Sequence, residues 1–221
     1  MMIKRFAALA CAFILAGTAN AAVLLSESFN NVAGLGAAGW VTTNNSSAGG
    51  STSWFQGNPA VFGSASGAAN AYVAANFNSS PPGGAISTWL LTPTLNLING
   101  VTLNFSYRLL GEGFVDTLQV YRSTSGSSSN VGSTTTSTGV FSLLNTYSSS
   151  ADTGWVTQTL AVTGLSALTP GRFAFRYVAS NTDIEADYVG LDSVSVTVPE
   201  PASLALIALA LVGVAATRRR A

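Results

Sequence analysis

Val101-Thr102-Leu103-Asn104-Phe105-Ser106-Tyr107-Arg108-Leu109 alternates apolar and polar side chains without a break. A period of two puts the odd-numbered residues on one face of an extended chain and the even-numbered ones on the other. This predicts a half-buried β-strand. The pattern recurs at Leu118 and Val120. It recurs at Phe173, Phe175 and Tyr177, with Arg172 and Arg176 on the opposite parity, and at Val194, Val196 and Val198, with Ser193, Ser195 and Thr197 between. Pro81-Pro82-Gly83-Gly84, Asn99-Gly100, Gly111-Glu112-Gly113 and Thr169-Pro170-Gly171 separate the runs as turn signals. No amphipathic helix interrupts them. The expected fold is all-β: two antiparallel sheets packed face to face as a jelly-roll sandwich. The Ser/Gly/Thr tract from Ser123 to Gly139 reads as a long, mobile loop.

Composition narrows the chemistry. Of 221 residues only 8% are charged, with nine basic and nine acidic side chains, against 48% hydrophobic. About a quarter charged is usual. No basic face exists to neutralise phosphates, so nucleic acid is not an expected partner. The chain has no His, its one Cys is Cys11 and its one Lys is Lys4. Once the N-terminus is removed, Ser-His-Asp and Cys-His catalysis, His-ligated metals and Schiff-base chemistry are excluded. No enzyme activity is expected.

The two ends read as targeting segments. Lys4 and Arg5 precede the apolar run Phe6–Ala16, and Ala19-Asn20-Ala21 supplies small residues before a cut. Residues 1–21 are therefore read as a signal peptide. Cys11 has too few apolar residues before it for a lipoprotein site. At the other end, Pro199-Glu200-Pro201 leads into the apolar stretch Ala202–Thr217 and then Arg218-Arg219-Arg220. As a helix that stretch would reach about 24 Å, less than the roughly 30 Å hydrocarbon core, and the arginines can extend it by snorkelling. By the positive-inside rule both charged ends stay cytoplasmic and residues 22–198 lie across the membrane. The domain so exported carries no Cys. Four arginines against eight acids leave residues 22–199 at net −4.

Residues 199–221 resemble the PEP-CTERM sorting signal of Gram-negative bacteria in the order of Pro-Glu-Pro, apolar segment and Arg cluster. The resemblance implies recognition by an exosortase, transient anchoring in the inner membrane and cutting near Pro199-Glu200-Pro201. It also implies delivery to the cell surface or extracellular matrix of an exopolysaccharide producer. A second resemblance covers residues 22–198. Glu27-Ser28-Phe29, Trp89-Leu90-Leu91-Thr92-Pro93, Thr102–Arg108, Leu118–Ser125 and Tyr188–Val196 are similar, in order, to segments of choice-of-anchor J domains. These are relatives of cleaved-adhesin and MAM-like sandwiches. That family implies surface display rather than a fixed activity, and some relatives bind carbohydrate. Gly34–Asn70 matches none of its segments.

Several polar residues invite a functional reading. Glu27 shares strand parity with Leu25 and Phe29, and Asp192 with Val194 and Val196, so both carboxylates start from apolar faces. A buried carboxylate needs a partner. A structural calcium bridging Glu27 and Asp192, with Asp187 as a further ligand, would supply one. The competing reading is two strand-end acids hydrogen-bonded to backbone. Asp183, Glu185 and Asp187 form an acidic loop without the EF-hand glycine. Glu112 and Asp116 flank Gly113 as a carboxylate pair of the sort a glycosidase uses, or as turn acids. Among the aromatics, Trp54 and Phe55 follow a Gly/Ser loop and are the candidates to stack on a sugar; core packing competes for both.

The expectation is an exported, non-catalytic surface or exopolysaccharide-matrix protein. The alternatives are a carbohydrate-binding or adhesin module and, further off, a carboxylate-dependent glycan hydrolase. Exposed aromatics beside a groove would favour the binding module, and two acids facing each other in a cleft the hydrolase.

Overall fold

A computed structural model describes residues 21–198, of which Ala22 onward form one compact unit. The stretches read above as a signal peptide and as an apolar membrane segment, with Pro199-Glu200-Pro201 and Arg218–Arg220, lie outside the described residues, except for Ala21. Among the described residues no helix is long and apolar enough to cross a membrane.

Twelve strands form the domain: β1 (Ala22–Glu27), β2 (Val41–Asn44), β3 (Phe55–Gln56), β4 (Val73–Asn76), β5 (Ile86–Leu91), β6 (Leu95–Leu97), β7 (Thr102–Leu109), β8 (Asp116–Ser123), β9 (Ser142–Ser149), β10 (Val156–Ala161), β11 (Thr169–Ala179) and β12 (Tyr188–Val198). They make two six-stranded antiparallel sheets. The first runs β10-β7-β12-β4-β3, with β1 also on β12. The second runs β2-β5-β11-β8-β9, with β6 also on β11. The expected sandwich is present.

The main core lies between the sheets, and the odd parity of β7 supplies much of it. Leu103, Phe105 and Leu109 are fully buried there with Val189, Leu191, Val194 and Val196 of β12 and with Leu118, Val120, Phe173, Phe175 and Tyr177 of the second sheet. Phe105 meets Phe175 edge to face at 5.2 Å. Each such side chain contributes on the order of 1.5–3 kcal/mol by leaving water.

Each sheet also carries a smaller cluster on its outer face, where a long connection folds back over it. On the first sheet the segment between β3 and β4 brings Phe62 onto Tyr72, Ala74 and Tyr188, with Trp155 against its edge. Gly190 makes room: a Cβ there would stand 2.8 Å from Phe62 and 2.9 Å from Trp155. On the second sheet Val131 and Phe141 cover Trp89, Leu91, Tyr121 and Ala174. The Ser/Gly/Thr tract that composition marks as a free loop is thus fastened. Val131 is buried within it, the Asn45 amide donates to the Gly132 carbonyl at 2.9 Å, and Arg176 donates to the Thr135 carbonyl. Val131 and the phenylalanine that follows, with these hydrogen bonds, seat a tract most of whose Ser and Thr side chains remain exposed.

Candidate functional site

The last strand organises the candidate site. β12 pairs with β7 along most of its length, and a bulge between Asp192 and Ser195 interrupts the register. Ser193 takes a positive φ of 53° there. The extra residue reverses parity. Val189 and Leu191 face the main core before the bulge and Val194 and Val196 after it. Asp192 therefore falls on the outer face with Tyr188 and Gly190, opposite Ser106 of β7. Simple alternation puts it with the valines, and the bulge corrects that.

Asp192 is fully buried under the β3–β4 segment, where its carboxylate accepts from the Ser66 amide at 3.0 Å and the Ser193 amide at 2.6 Å. Burial pushes its pKa up and these amides oppose the rise. Glu27 is on β1, which does lie beside β12, paired with Val194. It faces the core side, half-buried, and accepts from the Phe29 amide at 2.7 Å. That bond holds Phe29 in its left-handed conformation, φ 50°. Asp187 lies five positions before Asp192, about 16 Å along an extended chain. The structure does not bring Glu27, Asp192 and Asp187 together, and among the described residues no three metal-ligating side chains converge.

A groove of about 410 Å³ opens at the head of β12. Tyr188 and Phe55 pack edge to face at 5.8 Å and form one side. Phe77, 46% exposed, and Val61, 37% exposed, add apolar surface. Asn58, Glu112 and Asp187 supply polar edges. The outer-face cluster holds this wall rigid: the Tyr72 hydroxyl lies 2.9 Å from the Asn58 and Phe62 carbonyls and 3.3 Å from the Tyr188 hydroxyl, to which the Asn58 amide also donates. Arg108 lies 4.4 Å over the Phe62 ring and pairs with both oxygens of Asp152, whose pKa its hydrogen bond lowers.

Asp116 is not free to act with Glu112. It is fully buried and accepts from the Tyr177 hydroxyl at 2.5 Å and from the amides of Gly111, Asp187 and Tyr188. It fixes the turn before β8 to the head of β12. Burial raises its pKa against the pull of those donors. Asp187 beside it is pushed up to about 6, first by burial, then by the charges of Asp116 and Glu112. The acid that shares the groove with Glu112 is therefore Asp187.

Trp54 is 7% exposed and belongs to the main core, so neither ring face is open to a ligand. Its neighbour Phe55, the first residue of β3, lines the groove instead. Phe77 and Tyr188 were missed as groove aromatics. Phe77 sits in a short 3-10 turn, Phe77–Ser79, capped by the Asn76 side chain, and only its exposure marks it.

The sandwich has the fold of cleaved-adhesin domains. The chain is similar to the K1 cleaved adhesin domain of Lys-gingipain from Porphyromonas gingivalis W83, at 23% identity and a TM-score of 0.58, covering 79% of this chain and 98% of that one. For the K3 cleaved adhesin domain of Lys-gingipain the values are 20%, 0.56, 81% and 100%. At such identities the likeness establishes the fold. Residues 197–220 match the PEP-CTERM protein-sorting motif. No curated protein matches the chain. The motif implies exosortase processing and export to the surface.

Proposed function

We propose that this is a non-catalytic protein of the cell surface or exopolysaccharide matrix that binds a neutral glycan in the groove at the head of β12. The groove itself carries the reading: aromatic and apolar surface from Phe55, Phe77 and Tyr188, edged by the amide of Asn58 and the carboxylates of Glu112 and Asp187. A pyranose ring offers an apolar face to an aromatic ring and hydroxyls to such acceptors and donors. The sorting motif supports the location. An uncut chain would be held in the inner membrane by residues 202–217, and exosortase cutting near Pro199-Glu200-Pro201 would pass it outward.

The test is calorimetric titration of residues 22–199 with neutral β-linked gluco- and galacto-oligosaccharides. Phe77→Ala removes an exposed ring and should weaken binding about tenfold, or ~1.4 kcal/mol, with melting unchanged. Binding indifferent to both Phe77→Ala and Asp187→Ala would refute the site. Because Glu112 and Asp187 share the groove, the same samples should be assayed for new reducing ends. Release lost in Asp187→Asn would replace the binding module with a hydrolase.

A further inference from the structure

The second sheet presents another groove, of about 460 Å³, on its outer face. At its base lies Arg176 of β11, paired across the sheet with Trp89 of β5 and Gln119 of β8. Only 6% of Arg176 is exposed. Its guanidinium stacks 4.9 Å from the Trp89 ring centre. Nε donates to the Ser87 hydroxyl at 3.0 Å, Nη1 to Gln119 Oε1 and to the Tyr121 hydroxyl, and Nη2 to the Thr135 carbonyl. Those four bonds leave one Nη2 hydrogen without a protein acceptor.

None of these acceptors carries a charge. Among the described residues the one ion pair is Arg108 with Asp152, on the other sheet. A buried cation without an anion is costly even when its donors are satisfied. Around it the groove offers hydroxyls and amides: Thr117, Gln119, Thr136 and Ser180. Glu185 lines it too, but its Oε2 is already held by the Ser180 amide and hydroxyl at 2.6 and 2.8 Å.

We propose that this groove binds an acidic sugar residue of the uronate type, whose carboxylate neutralises Arg176 and whose hydroxyls meet the surrounding side chains. The site is independent of the neutral-glycan groove on the first sheet. A hydrogen bond from that remaining Nη2 N–H to a carboxylate is charge-assisted on both sides, and such bonds are roughly twice as strong as neutral ones. With one site on each sheet, a single copy would bridge two polymer chains.

The experiment titrates residues 22–199 with trigalacturonate, with its methyl ester and with sodium sulfate. Trigalacturonate should bind at least about tenfold more tightly than the ester. Val178→Glu places a carboxylate on the same strand face, two residues from Arg176, without removing any Arg176 contact; it should abolish binding of the acid. Arg176→Gln should do the same, read beside its melting curve because Arg176 also braces Trp89. Phe77→Ala should leave this binding intact, which separates the two grooves. Equal binding of acid and ester, or full binding by a folded Val178→Glu variant, would overturn the proposal. Sulfate competing as strongly as trigalacturonate would show a bare-anion site and overturn the sugar assignment.

Discussion

Glu27 and Asp192 stand on neighbouring strands but on opposite faces of the first sheet. The bulge at Ser193 separates them, and each carboxylate already accepts backbone amides. The expected consequence is independence. Glu27→Gln and Asp192→Asn should cost stability additively, within about 0.5 kcal/mol. Asp192→Asn should cost the more, about 1–3 kcal/mol, because it is buried under the segment it anchors. Melting should be the same in excess calcium and in chelator. A calcium-dependent rise lost in both single variants would show a bridge this geometry does not offer.

Asp187 sets a pH dependence. Its pKa rises from an ordinary 3.8 to about 6 in the folded protein, so the folded state binds the proton more tightly than the unfolded one. Its contribution is fully present below about pH 3.8 and is lost as pH rises through about 6. Asp187→Asn should flatten that fall and raise stability at pH 7 by about 1 kcal/mol, a figure already discounted for solvent screening. Urea titrations from pH 4 to 7.5 measure it. Unchanged pH dependence in the variant would dissociate Asp187 from the effect.

Gly190 admits Phe62. A methyl group there should cost about 1–3 kcal/mol by overpacking the outer-face cluster. Phe62→Ala should cost less in a Gly190→Ala background than in the wild type, since losing the ring there also relieves its clash with the new methyl group. Denaturation of the four proteins closes the cycle, and strict additivity would show that the two side chains do not compete for the space.

Sorting depends on the tail. Glu200→Gln in a host with an exosortase should leave the chain in the membrane fraction with Arg218–Arg220 attached, while the parent chain is released without them. Mass spectrometry of the released protein reads the difference. Release of the parent with its arginines intact would disprove the sorting route.

The sandwich was legible because half-buried strands must alternate, and residues 101–109 and 173–177 do so without interruption. The pairing of β1 with β12 joins strands from opposite ends of the domain, which no local pattern announces. The Ser193 bulge left no mark in the spacing, so alternation alone placed Asp192 on the core side. The outer-face clusters were hidden for a different reason. Phe62 with Tyr188 and Val131 with Trp89 are distant in sequence, and a single apolar residue in a Ser/Gly-rich stretch has no period to betray its burial. Trp54 and Phe55 show the limit of composition, since Trp54, just before β3, is buried in the main core while Phe55, the first residue of β3, lines the groove. Phe77, in a short turn, belongs to no alternating run at all.

The groove lies at the start of β12, and the sorting segment follows its end. An extended run of 11 residues, about 36 Å, thus joins the proposed glycan groove to the carboxyl end. A pull along that path is a shear parallel to the strand. It is resisted by β7 on one side and by β4 and then β1 on the other. Hydrogen bonds loaded in this direction share the force and must give way together rather than open one after another from an end. A load on the carboxyl end would thus enter the domain through the one strand that is paired on both sides along most of its length, and the cluster on the second sheet would lie off that path.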